Sequence, residues 1–166
     1  GSWNGWNPSA DPMAREGTSD YTWSTDVEGI GPGELYKFHI VWDGNEYWRK
    51  DPRSIQVENS APESASIIPD LDFTWTDDSF EMPPWNELVM YQVHIGTFHD
   101  SPGYGPGNFE SAKARLDHVK DLGVNVIQLM PVFEFAGDFS RGYNPALPFS
   151  VESAYGTPKQ LMEFIN

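Results

Sequence analysis

The sequence predicts two differently built halves: an antiparallel β-sandwich over residues 1–68 and parallel β/α units over 86–166, joined by a linker over 69–85. Three observations predict it. Apolar residues alternate with period two in the first half and recur at helical spacing in the second. All seven Trp fall within 1–85. The formal charge divides unevenly as well, −11 for 1–85 against −4 for 86–166.

In the first half, Tyr21, Trp23, Thr25 and Val27 alternate with polar neighbours, as do Tyr36, Phe38, Ile40 and Trp42. Asp43-Gly44 follows at once and Glu46 to Arg49 returns. Asp-Gly between such runs is a hairpin signal, because both turn positions need φ > 0. Gly29 to Gly33 is a further turn, and Ser66 to Ile68 a last short strand. Acids and prolines between Pro69 and Pro84 carry no sustained period and read as linker.

In the second half, the nearly uncharged run Leu88 to Phe98 reads as a strand buried on both faces. Asn108 caps a predicted helix whose apolar positions are Phe109, Ala112, Leu116, Val119 and Leu122, with Gly123 as its stop. Val124 to Pro131 is a second buried strand, completing a βαβ unit. After a long loop, Thr157, Pro158 and Gln160 open another helix with a capping box and Pro in the first turn. A two-stranded parallel sheet cannot cover its own faces, the first residue is not Met, and the last helix stops early. These features predict an internal fragment of a longer protein.

Composition removes several functions. A formal charge of −15 argues against nucleic acid or anionic membrane as the main partner. No apolar run nears the roughly 18 residues of a membrane span. With no cysteine, disulfides, thiol catalysis and Cys-ligated metals are out. Gly103-Tyr104-Gly105-Pro106-Gly107 lies between strand and helix, but Asn108 stands where a dinucleotide fingerprint needs its third glycine, so a plain flexible loop is expected. His94, His99 and Asp100 are close in sequence, yet hydrogen-bonded histidines fit better than metal ligands, and no metal or cofactor is expected. Glu134 and Asp138 follow the second strand, where barrels place functional carboxylates; in so acidic a chain, loop solvation is the expected role. Aromatics beside amides, as in Trp3-Asn4-Gly5-Trp6-Asn7, suit sugar rings, whose C–H faces stack on π faces. About half of the Trp are expected to pack the sandwich interior instead.

Gly1 to Pro8 resembles the Gly-x-Phe-Asn-x-Trp signature of family 48 starch- and glycogen-binding modules, and Gly33 to Phe38, Asp43-Gly44 and Trp48 to Pro52 follow in that module's order. Leu88 to Phe98, Leu122 to Asn125, Leu129 to Val132, Gly137 to Pro145 and Ser153 to Pro158 resemble the opening of an α-amylase superfamily barrel (glycoside hydrolase family 13), with the glycogen branching enzymes as the nearest subgroup. The resemblance implies an immunoglobulin-like β-sandwich followed by the opening β/α units of a truncated (β/α)8 TIM barrel. It implies an α-glucan partner (glycogen, starch or maltooligosaccharide) and a retaining two-carboxylate reaction, that of either a 1,4-α-glucan branching transferase or an α-amylase-type hydrolase. The family's catalytic trio follows the fourth, fifth and seventh strands, beyond Asn166, so no residue here is assigned as catalytic and the chain alone is expected to be inactive. Tyr143 matches the ring that stacks on the glucose at the cleavage point, while Arg141 stands where branching enzymes commonly have Trp. Trp6, Lys37 and Trp48 match glucan-binding positions of stand-alone modules; Asp138 and Asn144 flank Tyr143, with ordinary loop hydrogen bonding expected of them. A second reading is a non-catalytic glucan-binding module attached to a barrel remnant.

Overall fold

The computed structural model describes residues 1–18, 21–77, 79–100 and 105–166. Short antiparallel pairs make up the first half. Strand β1 (Ala14–Arg15) pairs with β2 (Trp23–Ser24), so the alternation read from Tyr21 to Val27 yields only two strand residues. Strand β3 (Leu35–Tyr36) is followed by the hairpin of β4 (Phe38–Trp42) and β5 (Asn45–Arg49), and β6 (Ser66–Ile67) returns beside β3. The hairpin closes as expected: Trp42 faces Asn45 across Asp43 (φ 48°) and Gly44 (φ 73°). Among the described residues these pairs remain separate two-stranded sheets.

None of the seven Trp is fully buried, against the expectation that about half would fill an interior. The buried apolar residues of this half are Val57 and Ala65. Strands this short cannot stack two broad apolar faces, and loops take over the cohesion. The Lys50 ammonium donates to the Asn59 and Ala61 carbonyls (2.9 and 2.7 Å) and to Ser64 Oγ (2.9 Å), and burial lowers its pKa.

In the second half, β7 (Met90–Val93) runs parallel to β8 (Val126–Leu129), with Met90 beside Val126 and Val93 beside Leu129. The strand expected to reach Phe98 ends at Val93, and a single helical turn, α1 (Ile95–Phe98), follows. The amides of Thr97 and Phe98 both return to the His94 carbonyl. An apolar run suits a buried strand and a buried turn equally, so period alone could not separate them. The helix expected over 109–122 is two helices, α2 (Phe109–Lys113) and α3 (Leu116–Asp121). Arg115 N bonds Ala112 O at 2.9 Å, a tight i−3 turn that breaks the axis with no Gly or Pro to announce it. The Asn108 cap and the left-handed Gly123 (φ 84°) are as read.

Asn125 fixes the register of the parallel pair. Its Oδ1 accepts the Val89 amide at 2.7 Å and its Nδ2 donates to the Glu87 carbonyl at 3.0 Å. The long loop expected after β8 holds a further antiparallel pair, β9 (Phe133–Phe135) and β10 (Pro145–Val151), with two register shifts. Helix α4 (Pro158–Ile165) has the expected Thr157/Gln160 capping box. The core joins Val93, Ile95, Phe109, Ala112, Phe135, Tyr155 and Phe164. The halves also touch: Ser150 Oγ donates to Ser54 O (2.6 Å) and Val151 N to Ile55 O (3.1 Å), while Lys159 pairs with Asp70 of the segment between them (2.6 Å). No helix among the described residues is long and apolar enough to cross a membrane.

Candidate functional site

Parallel pairing brings the carboxyl ends of β7 and β8 side by side, and open α/β sheets bind ligands at that end. A cleft of about 410 Å³ lies there, lined by Tyr91, Gln92, His94, Thr97, Met130 and Arg141. Arg141 brings its loop to the edge of this cleft, with Gly142 and Tyr143 next in the chain. Gly142 has φ 80°, and a Cβ at that position would collide with the Pro131 carbonyl at the end of β8, so only glycine lets the loop lie this close. Ser140 staples the loop from within: its Oγ accepts the Gly142 amide at 3.1 Å and donates to Asn144 Oδ1. The Tyr143 ring is 69% exposed on this tied backbone. Asn144 makes the loop bond expected of it.

His94 is a hydrogen-bonded pocket histidine, as expected. Nε2–H donates to the Ser140 carbonyl (2.7 Å) and Nδ1 accepts from the Thr97 hydroxyl (2.9 Å), a tautomer assigned from these partners. His99 is likewise occupied, donating from Nδ1 to Ser111 O (3.0 Å) and accepting from Arg115 at Nε2 (3.0 Å). Among the described residues no group of His, Asp and Glu is arranged to hold a metal ion. In the glycine loop, Gly103 and Tyr104 lie outside the described residues. Gly107 packs so tightly that a Cβ would come within 2.6 Å of the Ile95 carbonyl, a packing reason for that glycine.

Glu134 differs from its expectation. Only 1% exposed, it accepts the Ser153 amide at 2.7 Å, and burial raises its pKa. Solvation is therefore not its role. Glu152, which carried no motif, is fully buried and takes the amides of Phe135 and Ala154 at 3.0 Å each. Burial pushes its pKa up to about 7, with the Glu134 and Asp138 charges adding to the rise. Both carboxylates tie β9 to the 152–155 turn. Two acids within a strand pair and its turn have no sequence signal.

On the first half, Trp6, Lys37 and Trp48 come together. The two indoles meet edge to face at 6.4 Å, and Lys37 Nζ lies 5.6 Å from the Trp6 ring centre while donating to the Glu63 carbonyl. His39 leans on Trp48 at 4.7 Å, a neighbour the sequence reading did not include. Trp6 is 37% exposed and sits at φ 62°, a strained conformation for a bulky residue. Trp3 and Asn4 instead fold the amino-terminal turn, both donating to Asp11 Oδ2.

No protein-family model matches the chain. It is 35% identical over its whole length to the 1,4-alpha-glucan branching enzyme GlgB of Picrophilus torridus, covering 23% of that protein. It is 34% identical to the enzyme of the same name from Halothermothrix orenii, covering 28% of it. Among solved structures, a candidate alpha amylase from Salmonella typhimurium superposes with a TM-score of 0.76 at 33% identity, over 92% of this chain and 24% of that one. The glycogen-degrading pneumococcal virulence factor SpuA shares the fold at a TM-score of 0.61 and 22% identity, over 86% of this chain and 20% of that one. The chain thus spans about a quarter of the curated relatives it matches. Over its whole length it is a homologue of the 1,4-alpha-glucan branching enzymes, and the α-amylase-type resemblance of its motifs stands.

Proposed function

We propose that this homologue of the branching enzymes is part of an α-glucan-active enzyme, a 1,4-α-glucan branching transferase that acts by the retaining two-carboxylate route. In this reading residues 1–68 are an immunoglobulin-like sandwich, 69–85 a linker and 86–166 the opening units of a (β/α)8 barrel. The nucleophile, the acid–base Glu and the stabilising Asp come from later strands, so this chain contributes the floor and rim of the pocket. Over most of its surface the substrate would be held by hydroxyl contacts. The cleavage-point glucose would meet the Tyr143 face.

The observation that carries the reading is Tyr143 itself, an exposed ring on a tied loop at the carboxyl end of a parallel pair. Nothing in packing requires a large apolar ring there. As the glucose flattens toward an oxocarbenium ion it gains positive charge, and a π face holds that state better than the ground state. In the intact gene product, Tyr143→Ala is expected to lower kcat/KM by roughly 10- to 100-fold, on the order of 1–3 kcal/mol. Phe should retain most activity. A folded Tyr143→Ala protein with wild-type kcat/KM would remove the stacking role.

The clustering of Trp6, Lys37, His39 and Trp48 favours a second, compatible reading for the first half. Two indoles at an angle with a cation beside them make an aromatic cradle, and Trp6 holds a strained φ to stand there. This patch would keep a glucan chain near the enzyme without taking part in bond exchange.

A further inference from the structure

We propose that His94 and Tyr155 are a positioning pair that clamps the Ser140 carbonyl and thereby fixes the loop that presents the Tyr143 ring; this rests on the stacking reading of Tyr143. A backbone carbonyl has two lone pairs, and here both are taken. His94 Nε2–H donates to Ser140 O at 2.7 Å and the Tyr155 hydroxyl donates to the same oxygen at 3.2 Å. The two donors also touch each other at 3.0 Å, closing a triangle.

Each member of the triangle is itself held. Thr97 fixes the His94 ring from its other nitrogen. Tyr155 is 1% exposed and packs edge-on against Phe109 and Phe135. The Gly96 amide faces the Tyr155 oxygen, and a Cβ on Gly96 would come within 3.0 Å of that oxygen, so the glycine lets helix α1 approach. Burial pushes the Tyr155 pKa up to about 12, which keeps its hydroxyl a donor across any working pH. Downstream of the clamp the chain has little freedom. The Ser140 side chain ties Gly142 and Asn144, and Gly142 presses on Pro131. An exposed ring gains no rigidity from its own contacts, so its placement must come from its backbone, and the clamp joins that backbone to the core. Neither residue reaches the reacting atoms in this reading; each acts through Tyr143.

The test uses the intact gene product with amylose as substrate. Tyr155→Phe deletes one donor and keeps the ring packing, and is expected to lower kcat/KM about three- to tenfold. In a Tyr143→Ala background the same change should cost nothing further, because the group it positions is gone. His94→Gln can still reach Ser140 O from its amide nitrogen and should stay near wild type, whereas His94→Asn is too short and should lose as much as Tyr155→Phe. This contrast stands even where Tyr155→Phe folds poorly. A neutral Tyr155→Phe, equal losses in both backgrounds, or Gln no better than Asn would overturn the clamp while Tyr143→Ala remained damaging. If Tyr143→Ala is itself neutral, the stacking reading fails and the clamp's purpose fails with it.

Discussion

Gly142 offers a clean perturbation because a second glycine on the same loop system supplies its control. Gly142 and Gly137 have nearly the same backbone, φ 80° and 78°. Adding a Cβ in this region costs either position about 1–2 kcal/mol of left-handed strain. Their surroundings differ. A Cβ on Gly137 meets nothing within 4 Å, whereas one on Gly142 runs into the carbonyl and ring of Pro131. Backbone cannot rotate aside as a side chain can, so overpacking adds about 1–3 kcal/mol at Gly142 alone. Gly142→Ala is therefore expected to cost about 2–5 kcal/mol in all, against about 1–2 for Gly137→Ala. Urea unfolding followed by Trp fluorescence reads both as midpoint shifts. Equal shifts would mean that the loop does not press on the end of β8, and the tied placement of Tyr143 would lose its basis.

Two further outcomes follow from buried charge and from the aromatic cradle. Glu152 binds its proton more tightly folded (pKa about 7) than unfolded, so its contribution to stability is full below the ordinary carboxylate range and is lost as pH rises through 7. Between pH 5 and 8 that loss is on the order of 2–3 kcal/mol, and Glu152→Gln, which cannot titrate, should flatten the slope of urea midpoint against pH; an unchanged slope would refute the assignment. Trp48→Ala is expected to weaken glycogen binding about 5- to 10-fold in an affinity-gel assay, on the stacking scale of a lost aromatic contact, while Trp42→Ala on the exposed hairpin end leaves it unchanged. Equal effects from both would remove the cradle.

Local chemistry made parts of this fold legible. The Asp43-Gly44 turn, the Asn108 and Thr157 caps and the Gly123 stop each announce themselves within four residues, and all four are present. What stayed hidden depends on distant partners. β10 contains Pro145 and Pro148, which argue against a strand, yet it pairs with β9 through irregular register. The break at Ala114 and Arg115 has no Gly or Pro, and Arg115 there reaches His99. Glu152 looked like any loop acid; only the Phe135 amide, 17 residues away, makes it structural. The site divides the same way. Tyr143, Trp6, Lys37 and Trp48 came from motif resemblance, and among the last three Trp6 meets both Lys37 and Trp48. His94 and Tyr155 meet across 61 residues, a separation no spacing rule spans.

The most direct measurement is on product linkage. Incubating the intact gene product with linear amylose and following the anomeric protons by NMR, alongside a reducing-end assay, distinguishes the possible chemistries. A branching transferase breaks one α-1,4 bond and makes one α-1,6 bond for each event. New α-1,6 signals should therefore appear while the number of reducing ends stays constant, and debranching should restore shorter linear chains. Amylose that keeps its linkage pattern and its chain length with the folded protein present would contradict an α-glucan-active enzyme outright.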